Sequence, residues 1–134
     1  MIIVDENLHD QHILEAISAW YPGQVASVVT LRPGTVIKDE AIPALLLQAV
    51  QPTFVTIKVT DFWKKAPPHS GYCIIAVALS KERAREVPDL LRRFFRLPAF
   101  KTQALRMGKT IRLAPNRIRY YESDRCVQSL PWPG

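Results

Sequence analysis

Three aspartates occupy positions that a chain of alternating strands and helices would bring to one edge of a sheet. Asp5 follows the apolar run that opens the chain, Asp39 precedes a helical pattern of aliphatic residues, and Asp61 follows a β-branched run. Ligands of open α/β sheets bind outside the carboxyl ends of the strands. Carboxylates gathered there repel each other unless a cation such as Mg²⁺ or Mn²⁺ compensates them. The acids therefore favour a metal-dependent site, and phosphodiester hydrolysis is the reaction that such a site commonly serves.

Each acid also has a structural interpretation. Asp39 and Glu40 suit the first turn of a helix, where negative charge complements the helix dipole, and local sequence alone favours that interpretation. Asp61 suits the cap of a turn after its strand, about as well as it suits a functional role. Asp5 has no equally obvious structural duty, because it directly ends a buried strand. Glu6 and Glu40 are interpreted as solvated neighbours.

Basic and aromatic residues concentrate in the later part of the chain. Residues 1–51 hold six acids and two bases and residues 52–134 hold six acids and sixteen bases, so the net charges are −4 and +10. A cation site beside a polyanion-binding surface fits this division, although charge alone favours an ordinary basic surface. The candidate nucleic-acid-binding residues are Lys58, Trp63, Lys64, Lys65, Arg112, Arg117 and Arg119. The alternative packs Trp63 against the core and leaves the lysines solvated.

The apolar pattern predicts the elements that position these residues. Predicted strands cover residues 2–4, 25–29, 53–59 and 72–79, and predicted helices cover residues 9–20, 39–50 and 81–97. Asn7 is the predicted N-cap of the first helix. This alternation is typical of a doubly wound α/β domain with a mostly parallel sheet.

The last third of the chain departs from that alternation. Residues 110–113 and 117–121 alternate around a turn, which predicts a β-hairpin with Arg117, Arg119 and Tyr121 on one face. Residues 99–107 are predicted to be helical or irregular, and residues 128–134 to be loose. We expect one domain over residues 1–134, with an α/β core at 1–97 and a basic extension at 98–134.

Length and composition limit the class of protein. The chain has 134 residues, 48% of them apolar, which suffices for a buried core. No apolar run approaches the roughly 18 residues of a membrane span, and Asp5 and Glu6 interrupt the start where a signal peptide would be apolar. We therefore expect a cytoplasmic location without membrane contact. Cys73 and Cys126 lack the spacing of a zinc site.

Three short motifs carry a resemblance to a known family. They are Val4-Asp5-Glu6-Asn7-Leu8 at the start, Asp39-Glu40-Ala41-Ile42 at a helix start, and Val55-Thr56 followed by Thr60-Asp61-Phe62. With the following strand and the arginine-rich helix, the chain resembles the PIN-like domain family over roughly residues 1–97. The resemblance implies a three-layer α/β/α fold, a Mg²⁺- or Mn²⁺-dependent ribonuclease site built from acids, and frequently a toxin restrained by an antitoxin protein.

The resemblance assigns roles to individual residues. Asp5 matches the acid of the first strand, Asp39 the helix acid, and Asp61 the acid before the aromatic that follows the third strand. The family usually places another metal-binding aspartate shortly after the Val-Thr pair, where this chain has Ile57-Lys58. Either Asp61 serves instead, or the site lacks one ligand and binds metal weakly. An inactive descendant of the family is therefore one of the open alternatives. A further hypothesis is that the Lys58 ammonium replaces part of a missing metal's charge.

Two functions therefore stay open. The first is a metal-dependent endoribonuclease, as in the toxin of a toxin–antitoxin pair, with Asp5, Asp39 and Asp61 as catalytic metal ligands and RNA as substrate. The second is a catalytically inactive module of the same fold that binds nucleic acid or a protein partner. For the hairpin arginines three alternatives stay open, which are RNA, an acidic antitoxin segment, or no ligand. The Phe94–Phe95 helix offers a homodimer face, although a core role for it is favoured.

Overall fold

A seven-stranded sheet runs through the computed structural model, which describes residues 1–132. The strands are β1 (Ile2–Val4), β2 (Val25–Ser27), β3 (Thr53–Thr56), β4 (Cys73–Val77), β5 (Thr110–Ala114), β6 (Arg117–Tyr121) and β7 (Gln128–Leu130). Their order across the sheet is β2-β1-β3-β4-β5-β6-β7. The first five strands are parallel to one another. Strand β6 pairs antiparallel with β5, and β7 pairs antiparallel with β6.

Short helices cover both faces of this sheet. They are α1 (Gln11–Ser18), α2 (Val28–Leu31), α3 (Ile42–Leu46), α4 (Val87–Phe95) and α5 (Gln103–Arg106). Single turns of 3₁₀ helix cover Glu6–Leu8 and Asp39–Ala41, a longer one covers Lys81–Glu86, and a π-helical turn covers Thr60–Lys64. The predicted three-layer α/β/α fold with a mostly parallel central sheet and a C-terminal hairpin is confirmed. Within residues 1–132, no helix is long and apolar enough to span a bilayer.

Alternation along the central strands divides the core into two layers. Ile2 and Val4 point to the layer that holds α1 and α4, whereas Ile3 points to the layer that holds α3. Strand β4 is buried at every position, as expected for a central parallel strand. Phe94 of α4 is fully buried and Phe95 packs at the edge of the same layer, so the core role of this helix is confirmed.

The strand order reverses at β1, because β2 lies on one side of it and β3 on the other. The first and third strands pair in register, with Val4 opposite Val55, and the Asp5 N–H donates to the Val55 carbonyl at 2.9 Å. The residues that follow β1 and β3 therefore lie side by side at the carboxyl edge of the sheet. In parallel α/β sheets this reversal is where ligands bind.

The start of the first helix differs from the prediction. The N-cap of α1 is Asp10, whose Oδ1 accepts hydrogen bonds from the His12 and Ile13 N–H groups at 2.8 and 3.3 Å. Asn7 lies one turn earlier, inside the 3₁₀ turn, and its side chain faces Asp5. Its prediction as an N-cap is therefore wrong.

The second strand is shorter than predicted. It ends at Ser27, whose hydroxyl accepts a hydrogen bond from the Val29 N–H at 3.2 Å and caps α2. Local capping by serine ends the strand, so Val28 and Val29 are helical even though β-branched residues favour strands. The predicted helix over 39–50 is likewise confined to the 3₁₀ turn and α3.

The C-terminal hairpin is confirmed as β5 and β6, with Leu113 opposite Ile118. It also joins the central sheet, because β5 pairs parallel with β4. The prediction that residues 128–134 are loose is wrong for Gln128–Leu130, which form β7 against β6. This segment is stabilised, despite its polar composition, by backbone hydrogen bonds to the edge of β6 that does not pair with β5. Residues 133–134 lie outside the described part of the chain.

Candidate functional site

Asp5 lies directly after β1 with only 2% of its surface exposed. Its Oδ1 accepts a hydrogen bond from the Glu6 N–H at 2.8 Å. Its Oδ2 accepts two more, from the Thr56 hydroxyl at 2.7 Å and the Asn7 amide at 3.1 Å. Since a carboxylate accepts about four hydrogen bonds, the protein itself supplies most of them.

The Lys58 ammonium lies between carboxylates beside Asp5. Its Nζ is 3.1 Å from Asp39 Oδ1 and 3.3 Å from Glu6 Oε1. The Lys58 N–H also donates to the Thr56 hydroxyl at 3.0 Å, which fixes the backbone after β3. The side chains of Lys58 and Asp39 are 31% and 28% exposed, so water screens their attraction only in part.

The electrostatics of this cluster connect Asp5 with Lys58. Burial raises the pKa of Asp5, although hydrogen bonds from Thr56 and Glu6 and the charge of Lys58 oppose the rise. Burial lowers the pKa of Lys58, but its hydrogen bonds to Asp39 and Glu6 and the charge of Asp5 outweigh burial, so this pKa is raised. Lys58 is therefore charged at neutral pH and compensates the carboxylates of this edge.

Asp61 lies apart from Asp5, in the π-helical turn. Its carboxylate is 3.6 Å from Lys65 Nζ, in an ion pair whose side chains are 41% and 71% exposed. Together with Asp39 it lines a cavity of about 220 Å³ between α3 and the turn. The structure thus brings Asp5 and Asp39 to one cation, Lys58, and places Asp61 beside Asp39 in a neighbouring cavity.

In this arrangement the carboxyl edge does not fit a divalent cation. The ammonium of Lys58 occupies the position between Asp39 and Glu6 that a metal would need, and like charges exclude each other. Three hydrogen-bond donors already engage the oxygens of Asp5. Within residues 1–132, no group of three or more histidine, cysteine, aspartate or glutamate residues is placed to hold a metal ion.

A second group of predicted residues lies on one face of the hairpin. Along β5 and β6, Ile111, Leu113 and Ile118 point into the core. Strand alternation therefore directs Arg112, Arg117 and Arg119 to the opposite face, where Arg112 and Arg119 are directly paired across the strands. We call this surface, formed by these three arginines, the basic face. No carboxylate within residues 1–132 forms an ion pair with any of the three.

Aromatic rings border the basic face. Trp63 packs edge to face on Tyr121 with ring centroids 4.8 Å apart, and the Tyr121 hydroxyl donates to the Trp63 carbonyl. The Arg125 guanidinium lies 5.2 Å from the centre of the Tyr121 ring. Trp63 is half-buried and Lys64 is exposed beside it, whereas Lys65 pairs with Asp61.

Sequence reasoning missed the neighbours that define the carboxyl edge. Thr56 and Asn7 hold Asp5, and Glu6 pairs with Lys58 instead of standing free in solvent. The sequence did contain a signal for the contact between Thr56 and Asp5. Thr56 ends its strand and Asp5 follows its strand, and in neighbouring parallel strands such residues lie side by side. Applying this signal required the pairing of β1 with β3, which the sequence alone does not show.

Comparison with known proteins adds no assignment to this geometry. No protein-family model, curated protein sequence or solved structure matches the chain. The resemblance to the PIN-like family therefore rests on the motifs quoted above and stays a prediction. The carboxyl edge and the basic face are therefore the features that bear on function.

Proposed function

We propose that the protein is a PIN-like module that binds single-stranded RNA through its basic face, with Lys58 in the place of a catalytic metal ion. The observation that carries the proposal is the position of Lys58 Nζ, 3.1 Å from Asp39 and 3.3 Å from Glu6. A permanent cation at this point removes the reason for a metal to bind. The module would therefore hold RNA without cutting it.

The basic face supports the choice of ligand. Arg112, Arg117 and Arg119 have no carboxylate partner within residues 1–132, so their charge is available to phosphates. The neighbouring Trp63 is half-buried and offers its remaining surface to an unstacked base. Phosphate contacts combined with aromatic stacking are the usual way in which proteins bind single-stranded nucleic acid.

Fluorescence anisotropy with a labelled single-stranded oligouridylate tests this proposal. The double variant Arg117→Ala/Arg119→Ala should bind about tenfold or more weakly, and the slope of log affinity against log salt should fall by about 1.4, for two lost phosphate contacts. The matched control is Lys81→Ala/Arg85→Ala, which removes the same charge from exposed positions in another part of the chain. Equal losses in both double variants, or no loss in either, would contradict binding at the basic face.

A metal-dependent endoribonuclease is the second candidate function. The observation in its favour is that Asp5, Asp39 and Glu6 surround a single cation position, which the flexible Lys58 side chain could vacate. Cleavage of a mixed single-stranded RNA pool with Mn²⁺ or Mg²⁺ distinguishes the two functions. Metal-dependent cleavage by wild type that disappears in Asp5→Asn would establish the nuclease and refute the proposed role of Lys58.

The outcome expected from the first proposal is the reverse. Neither protein should cut the RNA, and calorimetry should detect no saturable Mn²⁺ binding to wild type. An acidic segment of a partner protein, such as the antitoxin that the resemblance implies, would also suit the basic face. Failure of RNA to bind, together with binding of an acidic peptide that Arg117→Ala/Arg119→Ala abolishes, would assign the face to such a partner.

A further inference from the structure

A second concave site lies away from the carboxyl edge, between the end of α1, the end of α4 and the start of β1. It is a cavity of about 720 Å³, within the range of small-molecule sites, which are roughly 300–1,000 Å³. Met1 lines it, which places it at the amino edge of the sheet. We call it the amino-edge cavity.

Its lining is basic without compensation. Arg92, Arg96, Lys101 and Arg106 all line the cavity, and no aspartate or glutamate does. Within residues 1–132, none of these four forms an ion pair. The first three are exposed, so their heads can turn toward a ligand. Four cations with low-dielectric walls concentrate positive potential in the cavity.

Arg106 distinguishes this cavity from an ordinary basic surface. Only 4% of its surface is exposed, and burial lowers its pKa. Its Nη1 donates to the carbonyls of Phe100 and Lys101 at 2.9 and 3.3 Å, while its Nε is buried without a partner among residues 1–132. Buried charges are normally paired. Among the described residues, the buried guanidinium at the wall of the cavity therefore has no anionic partner.

Aromatic rings complete the cavity. Trp20 and Phe95 pack edge to face with centroids 5.6 Å apart, and Tyr21 lies 6.0 Å from Phe95 in a similar orientation. The Arg106 guanidinium lies 4.0 Å from the centre of the Phe95 ring. All three aromatic residues are half-buried and line the cavity. An anion alone would need no such wall, whereas a phosphate attached to a flat aromatic body would use both parts.

From the buried, uncompensated Arg106, the three exposed cations and the aromatic wall, we infer that the amino-edge cavity binds a nucleoside phosphate. The phosphates would face Arg92, Arg96 and Lys101, with Arg106 as the buried countercharge. The base would contact Trp20 and Tyr21. This site is separate from the basic face, and the inference does not depend on the proposed function.

Calorimetric titration of the full chain with ADP, adenosine and inorganic pyrophosphate tests the inference. ADP should bind saturably, and both of its halves should bind at least about tenfold more weakly, because each contacts only part of the cavity. Arg92→Ala and Arg96→Ala should each weaken ADP binding about tenfold. The matched control is Arg93→Ala, an exposed arginine of the same helix that lines a different cavity.

Arg106→Met should abolish ADP binding, and circular dichroism would show whether that variant folds. If it does not, Arg92→Ala and Arg96→Ala still decide the question, because both positions are exposed. The inference is refuted if ADP does not bind, if Arg93→Ala weakens binding as much as Arg92→Ala, or if pyrophosphate binds as tightly as ADP. The double variant Arg117→Ala/Arg119→Ala should leave the affinity for ADP unchanged. Loss of ADP binding in this variant would show that the amino-edge cavity and the basic face are not separate sites.

Discussion

The two edges of the sheet treat a buried charge in opposite ways. At the carboxyl edge, Asp5 receives three hydrogen bonds, and Lys58 supplies the opposite charge nearby. At the amino edge, Arg106 donates to backbone carbonyls but has no carboxylate beside it within residues 1–132. The first edge is compensated by the protein's own residues, and the second is left for an external anion. Because of this difference, we infer a binding site for an anion at the edge where the buried charge lacks compensation.

The largest expected effect is at Asp5. Asp5→Ala removes the acceptor of three hydrogen bonds, leaves the buried Thr56 hydroxyl without its acceptor and takes away one of the negative charges near Lys58. We expect the free energy of unfolding, measured with urea, to fall by about 3 kcal/mol. Asp39→Ala, at a partly exposed position, should lower it by about 1 kcal/mol or less. Equal losses would mean that Asp5 is not the centre of the carboxyl edge.

Lys58 should contribute more to the free energy of unfolding than an exposed lysine such as Lys65 does. Lys58→Met leaves Asp5, Asp39 and Glu6 without a cation, so we expect a loss of about 1–2 kcal/mol at neutral pH. Lys65→Met breaks only the exposed pair with Asp61 and should change stability by less than about 0.5 kcal/mol. Added Mn²⁺ should raise the melting temperature of Lys58→Met more than that of wild type. An equal response to Mn²⁺ would contradict the idea that Lys58 excludes a metal.

Arg106 should contribute less to stability than Asp5 does. Arg106→Met loses hydrogen bonds to two carbonyls but also removes a buried charge that has no counterion in the described part of the chain, and the two effects oppose each other. We expect a net change of about 1 kcal/mol or less in urea unfolding without ligand. With ADP present, the difference in the free energy of unfolding between wild type and Arg106→Met should become larger, because the ligand would stabilise only the wild type. A loss as large as that of Asp5→Ala would show that Arg106 is compensated within the protein.

The smallest effect concerns pH. Because the pKa of Asp5 is raised above its ordinary value of 3.8, the folded protein binds this proton more tightly than the unfolded chain does. The contribution of Asp5 to stability therefore falls as pH rises from about 3.8 through the raised pKa, and is constant above it. The difference in unfolding free energy between wild type and Asp5→Asn should follow this course. A difference that grows with rising pH would contradict the direction of the shift.

At alkaline pH, stability depends on the ionisation of Lys58. Its pKa is raised above 10.5, so its stabilising contribution is fully present below that value and is lost as pH rises through the folded-state pKa. Lys58→Met should remove this alkaline loss. A Lys65→Met variant serves as the comparison, because Lys65 belongs to an exposed pair.

The periodic pattern of the chain was enough to predict a doubly wound α/β domain with a mostly parallel sheet, whereas the three-layer α/β/α arrangement was what the family resemblance implied. Apolar runs such as Ile2–Val4 and Cys73–Val77 are buried on both faces only in a covered parallel sheet. The hairpin at β5 and β6 followed from alternation alone. The ends of the elements were harder to predict, because there side-chain capping competes with strand propensity. The Ser27 side chain ends β2 and caps α2, and the Asp10 side chain caps α1. Polar residues at β7 gave no pattern that distinguishes an edge strand from a loop.

The sequence by itself determined that acids end the first strand and begin a helix, and that arginines share one face of a hairpin. Only the tertiary structure decided which charges meet. The pairing of β1 with β3 brings Asp5, Thr56 and Lys58 together across more than fifty positions of the chain, from 5 to 58. Packing of α1 against α4 likewise brings Trp20 and Tyr21 to the cations between positions 92 and 106 that line the amino-edge cavity. Such contacts depend on long-range packing, which local spacing does not encode.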